Sequence, residues 1–261
     1  MPHPPNAVHH SAKQGYTPAA ADHYVRGRPD YPPEINAWLR DTLSLGPGAT
    51  VVDLGAGTGK FTRRLLETGA HVIAVEPVAA MRAKLAAALP EVDTRAGSAE
   101  SLPLGDASID AIVCAQAFHW FANPASLAEM LRVLKPGGRL GLIWNLRDAS
   151  VEWVARLDAI VNRAEGDTPR YYTGQWRNAF PFAGFGPLHE QRFVQGHTGS
   201  PEDVIVARVK STSFIAALPP EEQARIEAEL RALINSVPEL REQAVVTVPY
   251  RTAAFHCVKQ P

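Results

Sequence analysis

The sequence predicts an α/β protein built on a doubly wound, mostly parallel sheet, with helices on both faces and an antiparallel last strand. Three observations carry that prediction. Short β-branched runs alternate with helical patterns from Ala49 onward, as in successive βαβ units. The first run, "ATVVDL", closes on Asp53 and Leu54 and passes directly into "GAGTG", where Gly55, Gly57 and Gly59 occupy alternate positions and let the chain turn sharply at a strand end. Near the C-terminus, "AVVTVPYRTAAFHCVK" reads as a strand that completes the sheet from the opposite direction.

The elements follow in order. After the glycine turn, "KFTRRLLETG" reads as a helix that stops at Gly69, and "HVIAVEP" as the second strand. In "VAAMRAKLAAAL", Met81, Leu85 and Leu89 recur every fourth residue, a helical stripe that faces the sheet. "IDAIVCA" is the next clear strand. Asn123-Pro124 has the form of an N-cap with proline at the first helical position, followed by Leu127, Met130, Leu131 and Leu134 on one face. Gly137 is placed as the stop of that helix, and "RLGLIWN" is the strand after it. Beyond Asn145 a helix is expected over Val151–Ala164, then irregular covering structure in "YYTGQWRNAFPFAGF". "PLHEQRFVQ" reads as a strand, and Ile226, Leu230, Leu233 and Ile234 keep helical spacing.

A chain of 261 residues with 46% hydrophobic content supports one main domain with a substantial core. Its net charge of -1 gives no global basic field for nucleic acid or an anionic membrane. Cys114 and Cys257 are the only cysteines, which suits a reducing compartment and offers no zinc spacing. The opening "MPHPPNAVHHSAKQGYTPAA" lacks the apolar stretch of a signal peptide, and His3, His9 and His10 lack partners at ligand spacing, so no metal is expected. The expectation is a soluble, cytoplasmic protein, monomer or homodimer, with no nucleic-acid or membrane partner.

The glycine turn points to a ligand. Free N–H groups of the following helix meet a crevice at the strand ends, where open α/β sheets take ligands. The spacing G-x-G-x-G is neither the phosphate-binding G-x-x-x-x-G-K-[ST], since Phe61 follows Lys60, nor the dinucleotide G-x-G-x-x-G. Glu76, 17 residues beyond Gly59 at the end of the second strand, is placed to accept both hydroxyls of an adenosine ribose and disfavours a 2′-phosphate. The other role open to it is to cap the next helix.

The stretches "VVDLGAGTGKFT", "VIAVEPVAAMRAKL", "AGSAESLPL", "IDAIVCAQAFHWF" and "LKPGGRLGLIWN" stand in one order and spacing that resembles the class I S-adenosylmethionine-dependent methyltransferases. Within them the chain is similar to the type 11 group of ubiquinone and trans-aconitate methyltransferases. The resemblance covers Tyr24 to Asn145, while "YVRGRPDYP", "STSFIAALP" and "VPYRTAAF" suggest a narrower subgroup. It implies a Rossmann-like, seven-stranded fold with an α-rich cap, S-adenosylmethionine as cofactor and S-adenosylhomocysteine as product. It also implies a division of the chain into a tail over 1–20, an N-terminal helical lid over 21–45, a cofactor-binding core over 46–145, and a part over 146–261 that completes the sheet and covers the substrate pocket.

Carried onto this sequence, the resemblance places Asp53 and the backbone of Gly55, Ala56, Gly57, Thr58 and Gly59 on the methionine portion of the cofactor. Glu76, with Pro77 beside it, meets the ribose, and Met81 packs beside adenine. The backbone at Ala99 and the side chain of Ser98 or Glu100 reach the adenine edge, although many relatives carry aspartate where Ser98 stands. Gln116, Ala117 and Trp120 line the opening between cofactor and substrate, and Tyr24 and Arg28 belong with the cofactor-contacting residues. The acid or asparagine followed by two prolines and an aromatic, found in enzymes that methylate DNA bases or glutamine, is replaced here by "AQAFHW".

The reaction implied is methyl transfer to oxygen, carboxylate or nitrogen of a small, apolar or aromatic acceptor. His119 is the histidine placed near the transferred group, either as a general base or as a packing and hydrogen-bonding residue of the pocket wall. Tyr24, Arg28 and Tyr31 are candidates for the lid, and Tyr171, Tyr172, Trp176, Phe180, Phe182 and Phe185 for the pocket wall. Asn145 is placed either to bond substrate or to cap the next helix. Two other readings remain open at this point: a catalytically silent cofactor-binding protein, and an NAD-dependent oxidoreductase, which the glycine spacing disfavours.

Overall fold

The computed structural model describes residues 27–261; Tyr24, the tail and the first part of the expected lid lie outside them. The chain runs through α1 (Glu34–Asp41), β1 (Thr50–Leu54), α2 (Thr62–Leu66), β2 (His71–Val75), α3 (Ala79–Ala88), β3 (Asp93–Arg95), β4 (Ile109–Ala115), α4 (Pro124–Val133) and β5 (Leu134–Arg147). It continues through α5 (Glu152–Asn162), β6 (His189–Gly199), α6 (Arg208–Lys210), α7 (Ser213–Ala216), α8 (Pro220–Ser236) and β7 (Val246–Val258). The seven strands form one sheet in the order β3-β2-β1-β4-β5-β7-β6. β7 inserts antiparallel between β5 and β6, whereas the pairs from β3 across to β5 are parallel.

Period-two alternation decides which layer each strand residue serves. Val51, Val113 and Ile143 pack on one face with Trp38 and Leu39 of α1 and Leu65 of α2. Their neighbours Val52, Ile112 and Leu142 pack on the other face with Leu127, Met130 and Val133 of α4. Burying each such side chain stabilises the fold by about 1.5–3 kcal/mol. α1 therefore belongs to the core layer, with Ile35, Trp38 and Leu39 all buried. A second, smaller core joins α5, a π-helical turn over Glu202–Ala207, α6 to α8 and the start of β7, where Val246, Val248 and Tyr250 meet Leu157, Val204 and Leu230. This is the α-rich cap.

The N-cap at Asn123 forms as its sequence dictates: the side chain accepts the Ser126 N–H at 2.9 Å, and Pro124 follows. Gly137 does not stop that helix. α4 gives way at Leu134, whose ψ of 138° is already extended, and Gly137 sits within β5 at φ 74°, its N–H bonded to the Lys259 carbonyl at 3.2 Å. Lys135-Pro136 ends the helix earlier because the residue before a proline avoids the helical region.

Strand order reverses between β1 and β4, so the loops after these strands diverge around a crevice. Their closest approach is at Gly55, φ 74°, where a Cβ would lie 2.7 Å from the Ala117 Cβ. Gly59, φ 84°, likewise leaves room for Leu85, whose Cγ would lie 3.0 Å from a Cβ. Packing thus fixes two of the three glycines. Gly55→Ala is expected to lower stability by about 2 kcal/mol, from positive φ together with overpacking. Adding Ala117→Gly should restore the overpacking part, as read by chemical denaturation; equal stability of Gly55→Ala and the parent protein contradicts this packing.

Candidate active site

The crevice is assembled from the ends of β1, β2, β4 and β5. Asp53 is almost wholly buried, and its Oδ2 accepts the Thr62 hydroxyl at 2.6 Å. Burial pushes its pKa up to about 7; the Thr62 bond opposes this and the neighbouring Glu76 charge adds to it. Glu76, also buried, accepts the Gly57 N–H on Oε2 at 2.9 Å and the Val78 N–H on Oε1 at 2.8 Å. Burial raises its pKa, while those two N–H groups and Arg82 pull the other way. Each oxygen keeps a further lone pair. Glu76 therefore braces the glycine turn and the residue before α3 without capping that helix, whose N-cap is Val78, and retains acceptor capacity.

Beside this turn lies a cleft lined by Arg28, Asp53, Ala56, Lys60, Gln116 and Asn145, among others, with Gly55 and Thr58 at its wall. Lys60 donates to the Arg28 carbonyl, and burial lowers its pKa to about 8, moderated by Asp30 and reinforced by Arg28 and Arg208. The cleft carries both signs of charge. Lys60 was not singled out from the sequence, although its place after the glycines in the β1–α2 turn was a usable signal.

A second cavity lies beside it and shares Arg28, Gln116, Asn145 and Arg208 with the first. Its aromatic walls include Trp120, Trp144, Tyr171, Tyr172, Phe214 and Tyr250, and Arg147 and Arg170 also line it. The lining is thus less apolar than the aromatic sequence pattern suggests. Trp176, fully buried, stacks at 4.6 Å on Trp144, and so anchors the covering segment behind the wall. Phe180, Phe182 and Phe185 pack with the same core. Of the six aromatics of that segment, Tyr171 and Tyr172 line the cavity.

His119 also lines the second cavity. Trp144 donates its Nε1–H to His119 Nδ1 at 3.1 Å. Burial, then the charges of Arg170 and Arg28, lower the His119 pKa to about 3. The ring is neutral at physiological pH, and with Nδ1 accepting, its proton sits on Nε2. It is a hydrogen-bond donor toward the cavity. Gln116 holds φ 60° at the junction of the two spaces, its backbone N–H bonded to the Ile143 carbonyl at 2.8 Å and its side chain donating to the Asn145 carbonyl at 3.4 Å. Asn145 lines both spaces and caps no helix: Nδ2 donates to the Asp30 carbonyl at 3.0 Å, while Oδ1 accepts from Gln195 at 2.9 Å and Thr252 at 2.6 Å.

The remaining sequence-derived residues, Pro77, Met81, Ser98, Ala99, Glu100 and Ala117, are not in the lining of the cleft. Met81, 2% exposed, is packed on the buried face of α3. The Ser98 carbonyl accepts the Ser101 N–H at 3.2 Å, and Ala99 is buried. Glu100 accepts the Asn123 amide N–H at 3.0 Å, so it is tied to the start of α4. Pro77 follows Glu76 at the entrance to α3, and Ala117 fills the space under Gly55. No group of histidine, cysteine and acidic residues among the described residues forms a metal site, and no described helix is long and apolar enough to cross a membrane.

A family model described as a methyltransferase domain matches residues 52–142. An uncharacterized methyltransferase-like protein of Schizosaccharomyces pombe is 38% identical over 239 residues, 91% of this chain and 93% of its own. A demethylmenaquinone methyltransferase of Renibacterium salmoninarum is 32% identical over 161 residues, 57% of this chain and 68% of its own. Among solved structures, a phosphoethanolamine N-methyltransferase of Haemonchus contortus, held with phosphomonomethylethanolamine and S-adenosylhomocysteine, superposes with TM-score 0.56 at 13% identity, over 94% of this chain and 58% of its own. This last likeness is one of fold. Strand order, the glycine turn braced by an acid from β2, and whole-length identity to a methyltransferase converge: the chain belongs to the class I S-adenosylmethionine-dependent methyltransferase family.

Proposed function

We propose that the protein transfers the methyl group of S-adenosylmethionine to a small-molecule acceptor bound in the second cavity. The observation that carries this reading is the adjacency of the two spaces. A cleft beside the glycine turn and a cavity walled by aromatic rings share Arg28, Gln116, Asn145 and Arg208 in their linings. The relative that acts on demethylmenaquinone and the fold neighbour holding phosphomonomethylethanolamine support a small acceptor by analogy.

The residues fit the cofactor on charge and on hydrogen-bond capacity. An amino-acid end bears an ammonium and a carboxylate, and the cleft offers Asp53 for the one and Arg28 and Lys60 for the other. The spare lone pairs of Glu76 suit the hydroxyls of a ribose, with Met81, Ser98, Ala99 and Glu100 toward adenine. The bound cofactor supplies an electrophilic sulfonium methyl. The protein then has to align the nucleophile and exclude water, which together are worth several kcal/mol. Gln116 stands at the junction of the two spaces, His119 and Trp120 line the second beside it, and Trp144 fixes the His119 ring. With Nδ1 occupied and a pKa near 3, His119 serves as a donor that positions the acceptor. The general-base role is set aside for it.

Calorimetric titration with S-adenosylhomocysteine and with NAD separates this reading from a dehydrogenase: the first should bind and the second should not. Glu76→Ala should weaken S-adenosylhomocysteine by about 1–3 kcal/mol, and unchanged affinity removes Glu76 from the ribose site. Asp53 supplies the pH dependence. Its pKa near 7 in the free protein falls when an ammonium lies beside it, so binding releases a proton around pH 7 and weakens as pH drops below that. Titration in buffers of different ionisation enthalpy should detect the release, Asp53→Asn should abolish it, and pH-independent binding contradicts the assignment. His119→Gln should leave no titration near pH 6.5 to lose, and a drop of more than about 100-fold in turnover confined to high-pKa acceptors restores the base role.

A further inference from the structure

Tyr250 is 1% exposed, and its hydroxyl has no hydrogen-bond partner among the described residues. An unsatisfied buried hydroxyl costs free energy, and most such groups are paired. Tyr250 is nonetheless placed in the wall of the second cavity, far from the glycine turn. Its position is fixed from both sides of the sheet, since it is the register partner of Arg147 on β5 and of Gln195 on β6. His197 meets its ring edge-on at 6.2 Å.

Arg147 lines the same cavity. Its Nε donates to Asp158 Oδ1 at 2.5 Å in a buried ion pair, which leaves the two terminal nitrogens for the cavity. Arg28, Arg170 and Arg208 are also in the lining. Arg170 is paired with Glu165 at 2.9 Å, Arg28 donates to the Ser211 carbonyl at 3.2 Å and Arg208 to the Thr212 hydroxyl at 3.3 Å. Asp158 and Glu165 stand behind the arginines, and among the described residues no acidic side chain lines the cavity.

We infer that Tyr250 and Arg147 form a recognition subsite for a negatively charged, hydrogen-bond-accepting oxygen of the acceptor molecule, in its simplest form a carboxylate. The inference rests on the methyltransferase reading of the same cavity. A carboxylate oxygen accepts the Tyr250 O–H and a terminal N–H of Arg147 together, satisfying the orphan hydroxyl with charge-assisted bonds. A neutral amide of the same shape presents N–H groups to a wall of donors and is rejected. The aromatic rings around it, Trp120, Tyr171 and Phe214, receive the apolar body of such a ligand.

The probes are 4-fluorobenzoate and 4-fluorobenzamide, followed by fluorine NMR on the full chain saturated with S-adenosylhomocysteine. The benzoate should bind at least 10-fold more tightly than the amide. Tyr250→Phe should weaken the benzoate about 5-fold or more and leave both the amide and S-adenosylhomocysteine unchanged. Should that variant fail to fold, the wild-type preference between the two probes decides alone. Equal binding of the probes, binding of neither, or a benzoate affinity unmoved by Tyr250→Phe overturns the subsite. Loss of S-adenosylhomocysteine binding by the wild-type protein instead overturns the methyltransferase reading, so the two failures are distinguishable.

Discussion

The architecture of the site depends on one buried carboxylate. Glu76 leaves the end of β2 and holds the Gly57 N–H with one oxygen and the Val78 N–H with the other, so a single side chain sets the turn after β1 and the entrance to α3. Withdrawing a carboxylate from water is costly unless hydrogen bonds replace its hydration, and these two backbone groups do so. The same two bonds leave acceptor capacity on both oxygens. A structural brace and a ligand contact are therefore compatible in one residue.

From that brace the rest follows by packing. Gly55 turns at positive φ because Ala117 fills the space where its side chain would stand, and the β1 and β4 loops are thereby brought edge to edge at the switch in strand order. Gln116 then lies in the lining of both the cleft beside the glycine turn and the second cavity. Asp53, buried beneath, carries a pKa that burial raises to about 7. The cap places its own small core over the second cavity, and the stack of Trp144 on Trp176 joins that cover to β5.

Much of this was legible in the sequence because it is local. The N-cap at Asn123, the glycine turn, the acid-ended strands and the helical stripe of α4 each depend on residues within a few positions. The short β3 was harder to delimit, since "DTR" has no apolar alternation and all three residues are half-buried. Gly137 misled because glycine at positive φ serves a bent strand as readily as a helix end. The second cavity was least legible: Arg147, Arg170, Arg208 and Tyr250 come from four separate segments, and no spacing announces side chains that only the tertiary fold brings together. His119 lines the second cavity, but its partner Trp144 and the burial that, with Arg170 and Arg28, keeps it neutral come from outside its local sequence.

The central claim is that the crevice between the β1 and β4 loops seats S-adenosylmethionine with its sugar on Glu76. A crystal structure of the protein with S-adenosylhomocysteine tests it most directly. The account predicts both ribose hydroxyls within about 3 Å of the Glu76 oxygens and the amino-acid end between Asp53 and Arg28 or Lys60. Ligand density at another place on the molecule, or a Glu76 carboxylate that touches only the protein backbone, contradicts it.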